Sequence, residues 1–487
     1  MRKFKFIKDS FFVIVLLFSI ILGSCENFDD LNTDPTRMQE SNPGVFLNPV
    51  LYEVGSYNWS RYNGFTFHLM QSIVTTNSTV GLEWYYISDA AGDGHWSVYY
   101  RWLNNIREME KQAAMLNETN YRAIAKTLQS WMYSIMVDSF GDIPMSEATR
   151  GDEGVFTPKF DTQMEVYKSI LQDLDSANLL FNETAGLRYN TDGEMLYGTD
   201  NALVSGVSAG ITKWRKFANS LRIRILLRGL NVPGLNAESE LKKMLNAPTT
   251  YPVFESNEDA AELFISGVFP AEPPMTRPQD FTSYKVLSEF FIDNLKNWND
   301  PRLPVFATQA TNDNQKSYVG WPSGYNIAPS FNGSGPNQNI VKPPLELTLM
   351  GYAELEFIKA ELALKNIISS DAGTHYKNGV QAAIERWGAT FPASYFDNEE
   401  TEFNGTLERI MIQKFYALFF CDYQQWFEYN RTGLPQMPVG DGVPTGNVMP
   451  RRFKYPVILQ RNNMANYQDA KENMGGDDFN IKLIWQK

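Results

Sequence analysis

Tyr121-Arg122-Ala123-Ile124-Ala125-Lys126-Thr127-Leu128-Gln129-Ser130-Trp131-Met132-Tyr133-Ser134-Ile135-Met136-Val137-Asp138-Ser139-Phe140 runs directly into Gly141-Asp142-Ile143-Pro144. Ile124, Leu128, Met132 and Ile135 recur at spacings of three and four, which predicts an amphipathic helix over 121–140. Gly and Pro then end it. The same period returns in Gln163–Phe181 (Val166, Ile170, Leu174, Ala177, Phe181) and in Ile211–Arg228 (Ile211, Trp214, Ala218, Leu221, Ile225). The second of these closes in a basic turn, Arg222, Arg224 and Arg228, which suits the negative end of a helix. Thr348–Lys365, Tyr376–Trp387 and Thr406–Tyr429 read as further helices. They come in pairs, and paired amphipathic helices predict a solenoid-like scaffold of the tetratricopeptide kind, although its consensus residues are missing. Between them lie Pro-, Gly- and Asn-rich stretches at 231–285, 300–345 and 431–487. Irregular stretches of that length are commonly functional. The expectation is an all-α fold carrying long aromatic loops.

The N-terminus reads differently. Arg2, Lys3, Lys5 and Lys8 precede an apolar run from Phe11 to Leu22, then Leu22-Gly23-Ser24-Cys25. This is the layout of a secretory signal peptide. Its apolar run falls short of the roughly 20 residues of a membrane span. The closing cysteine fits a bacterial lipobox, so residues 1–24 are expected to be removed and Cys25 to carry acyl chains. Residues 25–45 then form a lipidated polar tether, and 46–487 a single helical domain. With Cys25 acylated, Cys421 has no partner; it lies in an apolar run and is read as a buried, inert thiol. The core can be large, since 43% of residues are hydrophobic and 14% aromatic. The net charge of −13 argues against nucleic acid as a partner.

No nucleophile elbow, Walker loop, His-Glu-x-x-His or dinucleotide fingerprint occurs. His68, His95 and His375 lack ligand spacing for a transition metal. Asp138, Asp142 and Glu147 supply carboxylates of the kind a glycoside hydrolase uses, but their place at a helix end favours bonds to loop N–H groups. Asp89 and Asp93 beside glycines, and Asp441 in Gly440-Asp441-Gly442, have calcium-ligand chemistry without EF-hand spacing; no cofactor is assigned. The aromatic clusters are more suggestive. Trp84-Tyr85-Tyr86 is followed by Trp96, Tyr99 and Tyr100, and Trp321, Tyr325 and Phe331 lie in the loop after Pro304. Flat rings beside carboxylates and amides suit sugars; the competing reading is a small core beneath the loops. Trp84, Tyr85, Tyr86, Asp89, Trp96, Trp321 and Tyr325 are the candidate ligand-binding residues.

A family resemblance runs along the chain. It is carried by Phe28-Asp29-Asp30-Leu31-Asn32-Thr33-Asp34-Pro35, by Asp138–Pro144 with Ser146-Glu147-Ala148, and by Trp214-Arg215-Lys216-Phe217-Ala218-Asn219-Ser220-Leu221-Arg222. Asn299-Asp300-Pro301-Arg302-Leu303, Tyr352-Ala353-Glu354-Leu355, Lys359-Ala360-Glu361 and Gln413-Lys414-Phe415-Tyr416-Ala417-Leu418 continue it. Glu428-Tyr429-Asn430-Arg431-Thr432-Gly433 and Pro450-Arg451-Arg452-Phe453-Lys454-Tyr455-Pro456 complete it. The chain resembles the SusD/RagB-like nutrient-binding outer-membrane lipoproteins. It departs from them at Asn430, where arginine is common, around Leu459-Gln460-Arg461, and in having a single tryptophan, Trp485, near the end. The resemblance implies about four tetratricopeptide-like helix pairs and a non-catalytic protein. It implies a lid on a SusC-like TonB-dependent barrel that captures oligosaccharides, or in some members peptides. A peptide- or host-protein-binding lipoprotein and a lipid-anchored glycoside hydrolase are the alternatives. The resemblance transfers no ligand residue, because the loops that carry the site vary.

Overall fold

The computed structural model describes residues 41–77 and 81–486. The signal segment, Cys25 and most of the tether lie outside the described residues. From Pro43 onward the chain forms one unit. Helix α1 (Gly44–Arg61) leads to α2 (Asp93–Met115), α3 (Thr119–Phe140), α4 (Gln163–Leu180), α5 (Ala209–Arg228) and α6 (Ala237–Leu245). Each packs on the next, so α2/α3, α3/α4, α4/α5 and α5/α6 share faces. After α7 (Glu289–Asn297), a second stack follows: α8 (Tyr352–Leu364), α9 (Ala372–Glu385), α10 (Leu407–Ala417) and α11 (Gln424–Thr432). Helix α8 lies against both α9 and α10, and also touches α5. The fold is mostly helical, as the periodicity predicted.

Local chemistry sets the helix ends. Thr162 and Glu165 form a reciprocal capping box at the start of α4, and Ser208, Asp371 and Thr406 cap α5, α9 and α10 through their side chains. Helix α3 ends where Gly141 adopts φ +91°. A side chain there would also run into Met474, whose Sδ lies 2.6 Å from the place of its Cβ. Helix α3 is buried on nearly every face rather than along one stripe. Its polar residues turn inward to backbone carbonyls: Thr127 Oγ1 donates to Ala123 O at 2.9 Å and Ser134 Oγ to Trp131 O at 2.7 Å.

Several expectations are corrected. Thr348 does not start a helix. Leu345–Met350 is a strand, antiparallel to Ala261–Ile265, because Leu345, Leu347 and Leu349 alternate inward while Glu346 and Thr348 face out. The stretch 406–429 is two helices, broken where Phe420 and Asp422 take positive φ. The stretches read as irregular contain α6 and α12 (Met464–Asn473). The basic turn of α5 is no surface cap. Arg222 meets Asp175 and Glu240 at 2.6 and 2.9 Å, Arg224 engages Glu354, and Arg228 lies between Asp138 and Glu428 at 3.4 and 3.5 Å. All three are buried. Arg431 joins the same network through both Glu361 oxygens at 2.7 and 2.6 Å. Cys421 is buried and free, and burial pushes its thiol well above the ordinary range.

Candidate ligand-binding face

Three loops meet on the short ladder formed by Ile73–Thr75 and Lys285–Leu287. The first is the turn Leu82–Trp84, followed by Tyr85 at φ +59°. The second runs from Val319 to Phe331, and the third from Met437 to Val448. Trp84, Trp321 and Tyr325, with Val74 and Val286, form a small apolar cluster apart from the main core, and Val443 packs on it. The rings meet edge to face: Trp84–Tyr325 centroids are 5.2 Å apart and Trp321–Tyr325 centroids 5.8 Å. Each polar edge reaches a carbonyl. Trp84 Nε1 donates to Tyr325 O at 3.0 Å, Trp321 Nε1 to Phe331 O at 3.1 Å and Tyr325 Oη to Thr75 O at 2.9 Å.

The third loop is held by hydrogen bonds to backbone carbonyls. Gly442 N donates to Gly324 O at 2.9 Å, Asn447 Nδ2 to Trp84 O at 2.9 Å, and Gln71 Nε2 to Pro438 O at 2.7 Å. Gly440 approaches so closely that a Cβ would sit 2.1 Å from Ser323 O. Beneath the first loop, Glu83 is buried and accepts bonds from Thr75 N at 3.0 Å and Thr75 Oγ1 at 2.9 Å, with His68 Nδ1 also 2.9 Å away. Burial alone would raise the Glu83 carboxyl, but its bonds, led by His68, bring it below the ordinary value.

The candidate residues therefore separate. Trp84, Trp321 and Tyr325 are packed on one another, so their faces are not offered to a ligand; they hold the loops. Trp96 lies in α2 at helical spacing, not in a loop. It packs on Phe140 at 5.1 Å, Tyr100 at 4.9 Å and Tyr455 at 6.0 Å in the main core. Tyr85 is half-buried and Tyr86 is 46% exposed. Asp89 is exposed and bonds Lys454 Nζ at 2.8 Å, an arrangement that contributes little stability. Asp441 accepts from Asn326 N at 2.9 Å, a loop-bracing role. Among the described residues no group of three or more His, Cys, Asp or Glu side chains could hold a metal ion. Exposed apolar groups that the spacing did not single out are Tyr284, Ile327, Val439 and Val448; the signal was their position in Gly/Pro/Asn-rich stretches. The carboxylates at the end of α3 are occupied structurally. Asp138 bonds Tyr167 Oη, Asp142 accepts from Gln163 N at 2.9 Å and Glu147 from Lys159 N at 2.9 Å.

A family model described as SusD-like, starch-binding and associating with the outer membrane matches residues 35–456. The chain belongs to this SusD-like family. Among solved structures, a SusD homologue from Bacteroides fragilis is 26% identical, with a TM-score of 0.75 over 92% of this chain and 100% of the other. A chitin-binding protein is 24% identical, also with a TM-score of 0.75 and coverage of 92% and 100%. A SusD homologue from Bacteroides uniformis is 22% identical at a TM-score of 0.75, with the same coverage. A search among curated proteins found none that matches. In this SusD-like chain the family motifs fall on the buried ion pairs: Asp138, Arg302, Glu354, Glu361, Glu428, Arg431 and Arg452 are all buried. No helix among its described residues is long and apolar enough to cross a membrane.

Proposed function

We propose that this SusD-like chain is a lipoprotein, acylated at Cys25, that binds an oligosaccharide at the outer face of the cell and passes it to a TonB-dependent outer-membrane transporter, which it covers as a lid. The observation that carries this reading is the family model spanning residues 35–456, with its starch-binding, outer-membrane description. The loop face supports it. Tyr86 and the accessible part of Tyr85 supply stacking surface, and Asp89 beside Lys454 supplies hydrogen-bonding groups. Trp84, Trp321 and Tyr325 are positioning residues that hold these loops. The acidic groups near the end of α3 are tied to Tyr167 and to backbone N–H groups, which favours binding over hydrolysis.

The test is calorimetric titration of the full protein in detergent with starch, chitin and other oligosaccharide pools, while reducing ends are monitored. Saturable binding without product, weakened by Tyr86→Ala, is the expected result. Glycan turnover, or no glycan binding at all, sinks the reading. Labelling of wild-type protein but not of Cys25→Ala with a clickable fatty acid tests the anchor. Co-purification with a barrel partner from gently solubilised membranes tests the lid.

A further inference from the structure

A separate cavity of about 400 Å³ opens beside the two-stranded ladder formed by Ala261–Ile265 and Leu345–Met350. That volume lies within the range of small-ligand pockets. Its apolar wall includes Trp59 and Phe420, whose rings stack with centroids 5.4 Å apart. Trp387 and the exposed Phe264 also line it, and Asn339, Lys342, Glu346 and Arg386 add polar groups.

The ladder register explains the charges. Phe264 pairs with Glu346 and Glu262 with Thr348, so Glu262 and Glu346 stand diagonally on one face. Arg386 reaches over from the end of α9 and engages Glu262 through Nε and Thr348 Oγ1 through Nη2. Its guanidinium also lies over the Trp387 ring, 4.5 Å from the centroid. Arg386 is thus committed to Glu262, and Glu346 forms no ion pair among the described residues. The charges facing it are Glu262 and Arg386; burial first and Glu262 second push its carboxyl up to about 7, Arg386 opposes them, and the Glu262 carboxyl is its hydrogen-bond partner. Lys342 is in the complementary position. Its ammonium donates to Asn339 Oδ1 at 2.9 Å and forms no ion pair among the described residues. One cavity therefore holds a carboxyl and an ammonium that form no ion pair among the described residues, and an aromatic wall.

We propose that this cavity binds a small zwitterion with an apolar side group, a free amino acid, whose ammonium meets Glu346 and whose carboxylate meets Lys342. A ligand bearing only a cation would face Lys342 and Arg386 uncompensated, and one bearing only an anion would face Glu262 and Glu346. A ligand with both charges satisfies each, while the rings take its side group. The site shares no residue with the Tyr86 face, so its test is independent of glycan binding.

The experiment is titration calorimetry on the full protein in detergent at pH 7, with L-phenylalanine as the probe. Phenethylamine and 3-phenylpropionate are the single-charge controls. L-phenylalanine should bind, and both controls should bind at least 10-fold more weakly. Because a ligand ammonium favours the ionised form of Glu346, binding should release a fraction of a proton, read as a dependence of the measured heat on buffer ionisation enthalpy. Glu346→Gln should abolish that release and weaken binding about 10-fold. Lys342→Met should weaken binding without changing the release, and Tyr86→Ala should change neither. The same proton linkage should make the affinity of wild-type protein rise from pH 6 to pH 8. The proposal is overturned if L-phenylalanine does not bind, if a single-charge control binds equally well, or if Glu346→Gln retains affinity and proton release. Circular dichroism of both variants establishes that they are folded.

Discussion

Trp84 and Tyr325, 241 residues apart in the chain, are joined twice: the indole Nε1 donates to the Tyr325 carbonyl oxygen at 3.0 Å, and the two rings meet edge to face at 74°. This contact ties the turn after the first strand to the loop that follows the long Pro-rich stretch. It also leaves Tyr86, two residues on, at the surface.

Trp84→Ala should therefore cost stability while Tyr86→Ala should not. Removing a buried tryptophan typically costs about 3–5 kcal/mol, whereas a surface truncation stays within about 0.5 kcal/mol. Urea unfolding of both variants measures the difference. Hydrogen exchange should show the Trp84→Ala loss first in 81–86 and 319–331. Equal stability of the two variants would remove the positioning role assigned to Trp84.

Gly440→Ala should pry the third loop from the second. A Cβ there would lie 2.1 Å from Ser323 O and 2.2 Å from Gly324 O, so backbone must move. The bonds Gly442 N to Gly324 O and Asn326 N to Asp441 Oδ1 are then strained. Overpacking of this kind costs about 1–3 kcal/mol. Limited proteolysis should cut 437–448 sooner than in the wild type.

Arg431→Met should be among the most damaging substitutions. It leaves Glu361 and Glu428 buried with less compensation, and each is now held below the ordinary carboxylate value against its own burial, by Arg431 foremost. Removing one partner of a buried ion pair costs about 3–5 kcal/mol. A melting temperature within a degree or two of wild type would contradict the network's role.

Lys285 should make stability depend on alkaline pH. Burial lowers its ammonium from 10.5 to about 8, with Glu83 opposing, and its Nζ donates to Asn63 Oδ1 at 2.9 Å. Between those values the unfolded chain still holds a proton that the folded chain has released. The Lys285 contribution therefore becomes less unfavourable as pH rises from 8 to 10.5, by on the order of 1–3 kcal/mol. The stability difference between wild type and Lys285→Met, followed by urea unfolding across that range, should show this slope.

Cys421 should resist a thiol reagent at pH 8 in the folded protein and react once the chain is unfolded. Its burial removes both access and thiolate. Rapid labelling of the native thiol would place it outside the core.

The sequence by itself determined the helical class, the main helices and the family. These rest on local periodicity and on motifs whose residues prove to include the buried charges of the scaffold. The pairing of those charges was not legible: Arg222, Arg224 and Arg228 read as a helix-end basic turn, and only the fold brings Asp175, Glu354 and Asp138 to them. Tertiary structure alone decided the rest. Sequence could not tell whether the rings of Trp84, Trp321 and Tyr325 face solvent or one another, because an aromatic side chain suits a binding loop and a small core equally well, and it takes contacts such as Trp84 to Tyr325, 241 residues apart, to distinguish them. Nor could it show that Glu346 and Lys342 share a cavity without an ion pair while Arg386 is drawn to Glu262. That depends on the register of two strands separated by 79 residues (Ile265 to Leu345, numbered ends exclusive). Local propensity reports on neighbours along the chain; exposure and pairing are set by neighbours across it.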